Sequence, residues 1–310
     1  MRPGRGARRG GRKCVARYTL LPLGSCALVR NGRRERGGVF VGTCRLYAAV
    51  AAGGFRRYAT YRSATAAGVF TNTVFGFIVA YTYLALWDER PGLGGYDQAQ
   101  ALTYVWIGQA LAQALSMFNT GFAVDMVARI RNGDIAVDLY RPVDLQLWYL
   151  AGDLGRAVFQ LFSRGVVPLT VGALAFPLAL PGDPVVWLEF LGAVVLAVVV
   201  SFAIRYVLAL SAFWLLDGSG VLQFGGLVGM FFTGLLLPLN AMPGALGDIA
   251  RVLPWASLLQ MPADILLGAR SGAAEVLMAY AFQAGWAVVL LAAGRLLQSS
   301  ATRKVVLQGG

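Results

Sequence analysis

Charged side chains concentrate in one segment near the middle of the chain, between residues 125 and 156, with long apolar runs on both sides. Carboxylates and guanidinium groups alternate there, so the segment offers either an acidic catalytic cluster or a mixed-charge surface for docking a soluble protein. The groups are those of Asp125, Asp134, Asp138, Asp144 and Asp153, with Arg129, Arg131, Arg141 and Arg156.

The other residue types do not indicate a catalytic site. The chain has no histidine, and Cys14, Cys26 and Cys44 show no CxxC spacing, which excludes a zinc site and a His-based catalytic centre. The two lysines, Lys13 and Lys304, follow no Gly-rich phosphate loop. The aspartates form no tight Asp-xx-Asp cluster, and HExxH and GxSxG are absent. We therefore predict no catalytic residue, no metal, no bound cofactor and no ATP hydrolysis by this chain.

The composition is that of an integral membrane protein. Hydrophobic residues make up 57% of the 310 positions and charged residues 14%, whereas soluble domains carry about 25% charged residues. The apolar runs are long and do not alternate, so they predict helices rather than barrel strands. The net charge of +12 does not indicate nucleic-acid binding, because 11 of the 27 basic residues precede residue 37 and most others flank apolar runs.

Six apolar runs predict six transmembrane helices. In the fourth run, either a span ends near Ala203 before an interfacial piece, or one long tilted helix reaches Asp217; we favour the long helix. Basic residues gather on the side that holds both termini, so the positive-inside rule places both termini in the cytoplasm. The predicted spans are 66–87, 101–122, 159–180, 185–216, 221–237 and 273–293.

Three segments outside the spans also have predicted structures. Residues 39–62 predict an amphipathic helix at the membrane interface, or a plain helical lead-in to the first span. Residues 143–150 predict a short amphipathic helix on the cytoplasmic side. Prolines break 238–271 into short helices that dip back from the outer surface. Their expected buried positions are Ile249, Val252, Leu253, Leu258, Leu259, Ile265 and Leu266.

The ends of the chain differ from the membrane domain between them. Residues 1–38 are basic, Gly-rich and without periodicity, which predicts a disordered extension. A signal peptide and a tail that contacts anionic lipid are the alternatives. The membrane domain is expected at 39–296, followed by a cytoplasmic tail at 297–310.

Polar residues inside the predicted spans mark a candidate translocation path. Gln109 and Gln113 lie at helical spacing with Ser116 and Thr120 on the second span, and Arg205 lies in the inner half of the fourth. The amides serve either helix–helix hydrogen bonding or substrate contact. The arginine either faces the bundle or extends toward the interface.

Several short strings accompany this arrangement. They are Ile130-Arg131-Asn132-Gly133-Asp134-Ile135, Leu139-Tyr140-Arg141-Pro142, Pro238-Leu239-Asn240-Ala241-Met242-Pro243, Pro254-Trp255 and Leu267-Gly268. Together with the order of the elements, they resemble the type-2 permease family of ABC transporters, which includes drug-resistance and polysaccharide exporters. The resemblance covers roughly residues 39–296.

The resemblance implies a coupling helix region at 130–150 that docks a separate ABC ATP-binding subunit, with Leu145 and Trp148 as exposed anchors. It implies an exporting, multi-pass subunit of the bacterial plasma (inner) membrane. The polar stripe of the second span and aromatics such as Tyr81 and Phe231 favour an amphipathic or lipid-like substrate, although packing explains such residues equally. A second permease, identical or paralogous, and membrane lipid are the other expected partners. The face of Gly225 and Gly229 and the first span are candidate interfaces with that permease. The docking residues are Arg131, Gly133, Asp134, Leu139, Arg141, Pro142, Leu145 and Trp148.

Two functions from other classes stay open. An ion-coupled secondary transporter needs acidic residues buried at mid-membrane. The predicted spans show none, since Glu189 and Glu275 lie near outer ends and Asp217 lies at an inner boundary. A membrane scaffold that transports nothing is the second alternative.

Overall fold

The computed structural model describes residues 34–118, 121–215 and 218–308, and within these ranges it contains helices and no β-strand, which confirms the all-helical prediction. The chain divides into two compact units, Met1–Gly42 and Thr43–Gly310. The helices are α1 (Arg34–Ala59), α2 (Arg62–Glu89), α3 (Gln98–Ala114), α4 (Phe122–Arg131), α5 (Ile135–Leu139), α6 (Leu145–Gln160), α7 (Val167–Ala175), α8 (Pro184–Leu210), α9 (Ser219–Phe232), α10 (Gly244–Val252), α11 (Gln260–Leu266) and α12 (Ala273–Gln308).

The two ends of the chain are described to different extents. Residues 1–33, which hold most of the predicted extension, lie outside the described residues. Helix α1 begins at Arg34, ahead of the predicted start at residue 39. At the other end, α12 continues to Gln308, so the predicted tail prolongs the last helix.

Within the described part of the chain, four helical segments are long and apolar enough to cross a membrane. They correspond to the first, third, fourth and sixth predicted spans. Helices α3 and α9, at the second and fifth, are shorter, with 17 and 14 residues. The count of six spans therefore stays a prediction. The four segments are Arg62–Glu89, Leu145–Ala175, Pro184–Phe213 and Ala273–Arg303.

Helix α8 lies at the centre of the bundle. Its most apolar window is 72% buried, against 22–28% for the other three segments, and it packs against α4, α6, α9, α11 and α12. The helix starts where the Asp183 carboxylate accepts the N–H of Val185 at 2.8 Å, with Pro184 in the first turn. It continues past Ala203 to Leu210, and a 3-10 turn follows to Phe213, so the run forms one long helix that ends before the predicted Asp217.

The third predicted span and the short helix before it form one helical segment. Helix α6 begins at Leu145, where the Asp144 carboxylate accepts the N–H of Leu147 at 2.8 Å. A π-helical turn, Leu161–Val166, joins it to α7. The separate helix predicted at 143–150 is wrong. The charged residues that follow, Asp153 and Arg156, are paired inside the bundle, so the helix continues through them.

The second predicted span ends earlier than expected. Helix α3 stops at Ala114, residues 115–118 form turns, and α4 begins at Phe122. Ser116 has a φ of 48° and Gly121 a φ of 85°, and the left-handed region is unusual for a serine. The predicted end near residue 122 is therefore wrong. Thr120 lies outside the described residues.

Helix α1, from Thr43 onward, packs very closely on α6 through glycine. A Cβ added at Gly54 would lie 2.2 Å from the carbonyl oxygen of Gly152, and one at Gly155 would lie 1.8 Å from that of Ala51. Only a bare backbone fits at these two crossings. The position of α1 at a membrane interface stays a prediction.

The glycine pair of α9 also packs inside the chain. The side chain of Leu208 fills the space beside Gly225, and that of Trp255 lies beside Gly229. The pair is therefore no free surface for a second permease, contrary to expectation.

Short helices occupy the stretch before α12, as predicted. They are α10, α11 and two 3-10 turns, Leu239–Ala241 and Pro254–Ser257. Ile249 and Val252 are exposed, contrary to prediction, because α10 buries its opposite face at Gly247 and Ala250. The predicted burial is confirmed for Leu258, Leu259, Ile265 and Leu266 and is partial for Leu253.

Candidate functional site

The segment α4–α5–α6 folds as one unit around the carboxylate of Asp138. This carboxylate is buried and accepts hydrogen bonds from the Nε of Arg129 at 2.6 Å and the Oη of Tyr149 at 3.2 Å. Arg141 adds a third contact at 3.5 Å. The hydrogen bond with Asp138 raises the pKa of the Arg129 guanidinium. The cluster therefore links α4, α5 and α6, which contribute Arg129, Asp138 and Tyr149 respectively.

Two further contacts hold the start of α6 against α12. Arg295 pairs with Asp144, and the Gln146 amide donates to the carbonyl oxygen of Leu291 at 3.1 Å. The expectation that Leu145 is an exposed anchor is wrong. Its side chain is 4% exposed, since this first turn of α6 faces the bundle.

The surface of this unit, which we call the docking surface, is formed by the turn after α4, by α5 and by the start of α6. Gly133 makes the turn with a φ of 81°. Arg141 stacks over the ring of Trp148 at 5.4 Å, which leaves this tryptophan half-buried, as Leu139 is. Of the predicted docking residues, those exposed on the surface are Arg131, Gly133, Asp134, Arg141 and Pro142.

Sequence reasoning missed the most exposed apolar residues of the docking surface. Tyr140 is 90% exposed, and Val137 and Leu147 are also exposed. The available signal was their apolar character in a segment that is otherwise charged. Large apolar side chains that face solvent beside charged groups are typical of a protein-binding surface.

A buried cluster of three charges, which we call the ion trio, connects α6 to α8. The Asp153 carboxylate accepts from the Nε of Arg156 at 2.7 Å and from an Nη of Arg205 at 2.6 Å, and these residues are at most 3% exposed. The Arg205 guanidinium also lies 4.9 Å from the ring of Phe122, at the start of α4. Arg205 therefore faces the bundle. Asp153 is an acidic residue buried inside a candidate span, whereas the sequence predicted none.

The ion trio also explains why α3 ends where it does. Arg156 donates to the carbonyl oxygens of Gln113 at 2.9 Å and Ala114 at 2.8 Å, and the Ser201 hydroxyl donates to that of Leu115. A helix end leaves its last carbonyl groups without partners, and a cation beside them is favourable. The arginine and the serine thus permit α3 to end inside an apolar bundle.

A cavity of about 530 Å³ lies between α4 and α9, and a second of about 560 Å³, which we call the polar pocket, lies between α2, α3, the π-helical turn and the end of α9. Phe118 and Met230 line both cavities, so the two adjoin. Gln109 and Gln113 line the polar pocket, whereas Arg205 does not. Two of the three predicted path residues therefore meet at one cavity.

The polar pocket has further polar residues that sequence reasoning did not assign to it, among them Asn72 and Arg164. The Asn72 amide donates to the carbonyl oxygens of Gln109 at 2.9 Å and Arg164 at 3.1 Å, which ties α2 to α3 and to the π-helical turn. The Arg164 side chain lies in the pocket wall. The sequence signal for Arg164 was a cation inside an apolar run.

A second polar network joins the loop after α2 to the short outer helices. Tyr96 donates to the buried Asp264 carboxylate, and the Gln260 amide donates to the same oxygen at 2.7 Å. Tyr104 donates to Gln260 at 3.1 Å, and the Arg270 Nε lies 3.7 Å from Asp264. Within the described residues, no three His, Cys, Asp or Glu side chains gather in a group that fits a metal ion.

Long apolar helices around a buried ion trio define this chain as a multi-pass α-helical membrane protein. Residues 69–309 match the family described as ABC-2 family transporter protein, and the chain belongs to this family of ABC transporter permeases. The predicted family resemblance is confirmed. Neither a curated protein nor a solved structure matches the chain. Members of this family are membrane subunits rather than ATPases, and membership implies an ABC ATP-binding partner in general.

Proposed function

We propose that the chain is the permease subunit of an ABC exporter in the plasma (inner) membrane of a bacterium, with six spans and both termini in the cytoplasm. It moves an amphipathic or lipid-like compound outward, and a separate subunit hydrolyses the ATP. A second permease, identical or paralogous, completes the pore. The observation that carries this proposal is the continuous chain of contacts from the docking surface to the ion trio and on to the end of α3.

The contacts suggest how force reaches the membrane helices. An ATP-binding subunit seated on Val137, Tyr140 and Leu147 moves α5, and the Asp138 cluster carries α4 and α6 with it. On α6, Asp153 pairs with Arg205 of α8, and Arg156 donates hydrogen bonds to the C-terminal carbonyl groups of α3. A packed unit of this kind moves between discrete arrangements rather than deforming smoothly. The polar pocket borders α3 and therefore changes shape with it.

The alternative of an ion-coupled transporter has one observation in its favour, the buried carboxylate of Asp153. However, a coupling site must gain and lose its ion, and this carboxylate is held by two guanidinium groups. Two fixed cations beside one carboxylate disfavour both protonation and cation binding. The ion trio therefore suits a structural joint better than an ion site.

Co-purification tests the docking surface. The chain is expressed with the ABC ATP-binding subunit encoded beside it and extracted in mild detergent, as wild type and as a Tyr140→Ala, Asp134→Arg double variant. We expect wild type to retain the subunit in stoichiometric amount and the double variant to retain at least tenfold less, because an apolar anchor and a charge are both altered.

The control is Leu174→Ala, which removes an equally exposed apolar side chain inside a candidate span. It should retain the subunit as wild type does. Normal retention by the double variant contradicts the docking surface. A wild-type chain that retains no ATP-binding subunit contradicts the exporter proposal itself.

A further inference from the structure

Arg164 lies in the wall of the polar pocket, and its cation has no counter-charge among the residues that the structure describes. Its Nη2 donates to the carbonyl oxygen of Ala64 at 2.8 Å. Its Nε is buried and has no hydrogen-bond partner, and no carboxylate pairs with the guanidinium within the described residues. The arginine is half-buried, and a cation that is partly withdrawn from water without a counter-charge favours an anionic partner.

The backbone of α2 makes room for this guanidinium. A Cβ added at Gly68 would lie 2.2 Å from the Cζ of Arg164, so the side chain rests directly on a bare glycine. Asn72, one turn further along α2, binds the carbonyl oxygen of Arg164 and holds the π-helical turn in place. The arginine is therefore positioned by two elements rather than lying free on a surface.

The rest of the polar pocket combines uncommitted amides with apolar walls. The side-chain amides of Gln109 and Gln113 line it and make no hydrogen bond with the described residues, and no carboxylate is among the described lining residues. Phe75 and Ile78 form an outer wall and are exposed, so the pocket is reached from the side of the bundle. Its volume of about 560 Å³ lies within the range of ligand sites, roughly 300–1,000 Å³.

We propose that the polar pocket binds an anionic amphiphile. The Arg164 guanidinium pairs with a phosphate, sulfonate or carboxylate headgroup, since a charge-assisted pair supplies the missing counter-charge. The amides of Gln109 and Gln113 donate to the other headgroup oxygens, and the hydrocarbon part lies along Phe75, Ile78 and Leu236. The same chemistry fits a resident anionic phospholipid or the exported compound, and only the second role rests on the proposed function.

Native mass spectrometry of the full-length chain in detergent tests this site without any partner. The chain is titrated with phosphatidylglycerol and with phosphatidylcholine of the same acyl chains. We expect wild type to bind one phosphatidylglycerol at least tenfold more tightly than phosphatidylcholine. Arg164→Gln should abolish this preference, and Arg164→Lys should keep part of it because the charge remains. Arg90→Gln, the same change at an exposed arginine, should leave the preference intact.

Two outcomes overturn the proposal: equal affinity of wild type for both lipids, or an unchanged preference in Arg164→Gln. If Arg164→Gln does not fold, Ile78→Trp decides the matter, because it fills the pocket from its exposed wall and leaves the arginine in place. Loss of the tight phosphatidylglycerol then supports the site, and retention overturns it. Each variant's melting curve shows whether it is folded.

Addition of ATP to the complex with the ATP-binding subunit separates the two sources. A phosphatidylglycerol that stays bound at one per chain during hydrolysis is a resident lipid, whereas one that is depleted is cargo. Failure of the binding titration refutes the pocket alone. Failure of the co-purification refutes the exporter proposal and leaves the binding result standing.

Discussion

At the scale of single residues, Asp153 is shared by two guanidinium groups in the interior of the bundle. Replacement by asparagine leaves Arg156 and Arg205 buried beside each other without a counter-charge. Loss of one partner from a buried ion pair costs about 3–5 kcal/mol, so we expect Asp153→Asn to lower the free energy of unfolding by at least this amount. The melting temperature in detergent measures the effect.

The matched control is Asp248→Asn, which breaks an aspartate–arginine pair of the same i, i+3 spacing on the surface. Exposed pairs contribute less than about 1 kcal/mol, so its melting temperature should stay near that of wild type. Equal effects of the two substitutions would show that the ion trio contributes no more than a surface pair.

A second residue-scale prediction concerns pH and Asp264. Burial raises the pKa of this carboxyl above its ordinary value of 3.8, and the hydrogen bonds from Tyr96 and Gln260 and the charge of Arg270 oppose this rise. The folded chain therefore binds more protons than the unfolded chain between the ordinary and the raised pKa. Stability should fall as pH rises through this window, and Asp264→Asn should remove that part of the decline.

Melting temperatures of both proteins in detergent, measured at several values from about pH 4 upward, check this prediction. The asparagine variant keeps an oxygen that accepts from Tyr96 and Gln260, so its gain over wild type should grow with pH. A constant difference across the range would refute the role of the Asp264 proton.

At the scale of elements, the contact between α1 and α6 depends on one face of α1. Gly54→Ala places a methyl group 2.2 Å from the Gly152 carbonyl oxygen, whereas nothing lies within 4 Å of a methyl group at Gly53. Overpacking of a close contact costs about 1–3 kcal/mol of stability. At an exposed helix position, alanine is more stabilising than glycine by up to about 1 kcal/mol. We expect Gly54→Ala to destabilise the chain and Gly53→Ala to stabilise it slightly.

Melting curves of the two variants side by side measure the difference. Since the two positions are neighbours on one helix, helix propensity affects both alike, and only packing separates them. Variants that both stabilise the chain would mean that α1 does not pack on α6 in the membrane.

At the scale of the whole molecule, the predicted topology places the start of the membrane domain and the loop between α7 and α8 on opposite sides of the membrane. Cys44 is exposed and free, and Gly182 is exposed with open space around it. With Cys14 and Cys26 changed to serine, an impermeant maleimide should label Cys44 only after the cells are permeabilised. In a chain whose cysteines are all replaced, Gly182→Cys should react in intact cells.

The opposite labelling pattern would place both termini outside, against the positive-inside rule. It would also place the docking surface outside the cell, where no ATP-binding subunit reaches it. This experiment therefore tests the topology and the orientation of the docking surface together.

The predictions agree best with the structure for segments that are recognised by the length of an apolar run alone. The four long segments were predicted because a run of about twenty apolar residues fits a helix in a membrane. The family follows from the order of such segments and from short strings such as that at Ile130–Ile135. Helix ends agree less well, because the ends of α3 and α6 depend on contacts with residues far away in the chain.

The sequence by itself determined that this chain is a helical membrane protein of the ABC-2 family and marked the segment after α3 as its polar surface. Tertiary structure decided which charges lie inside. Asp153, Arg156 and Arg205 are separated by up to 52 positions, and only folding brings them within hydrogen-bonding distance. It also placed Arg164 beside Gln109 and Gln113, with no carboxylate partner in the described part of the chain. The sequence lists the charged residues and their spacing. Which of them pair depends on which helices pack together, and only the tertiary structure determines that.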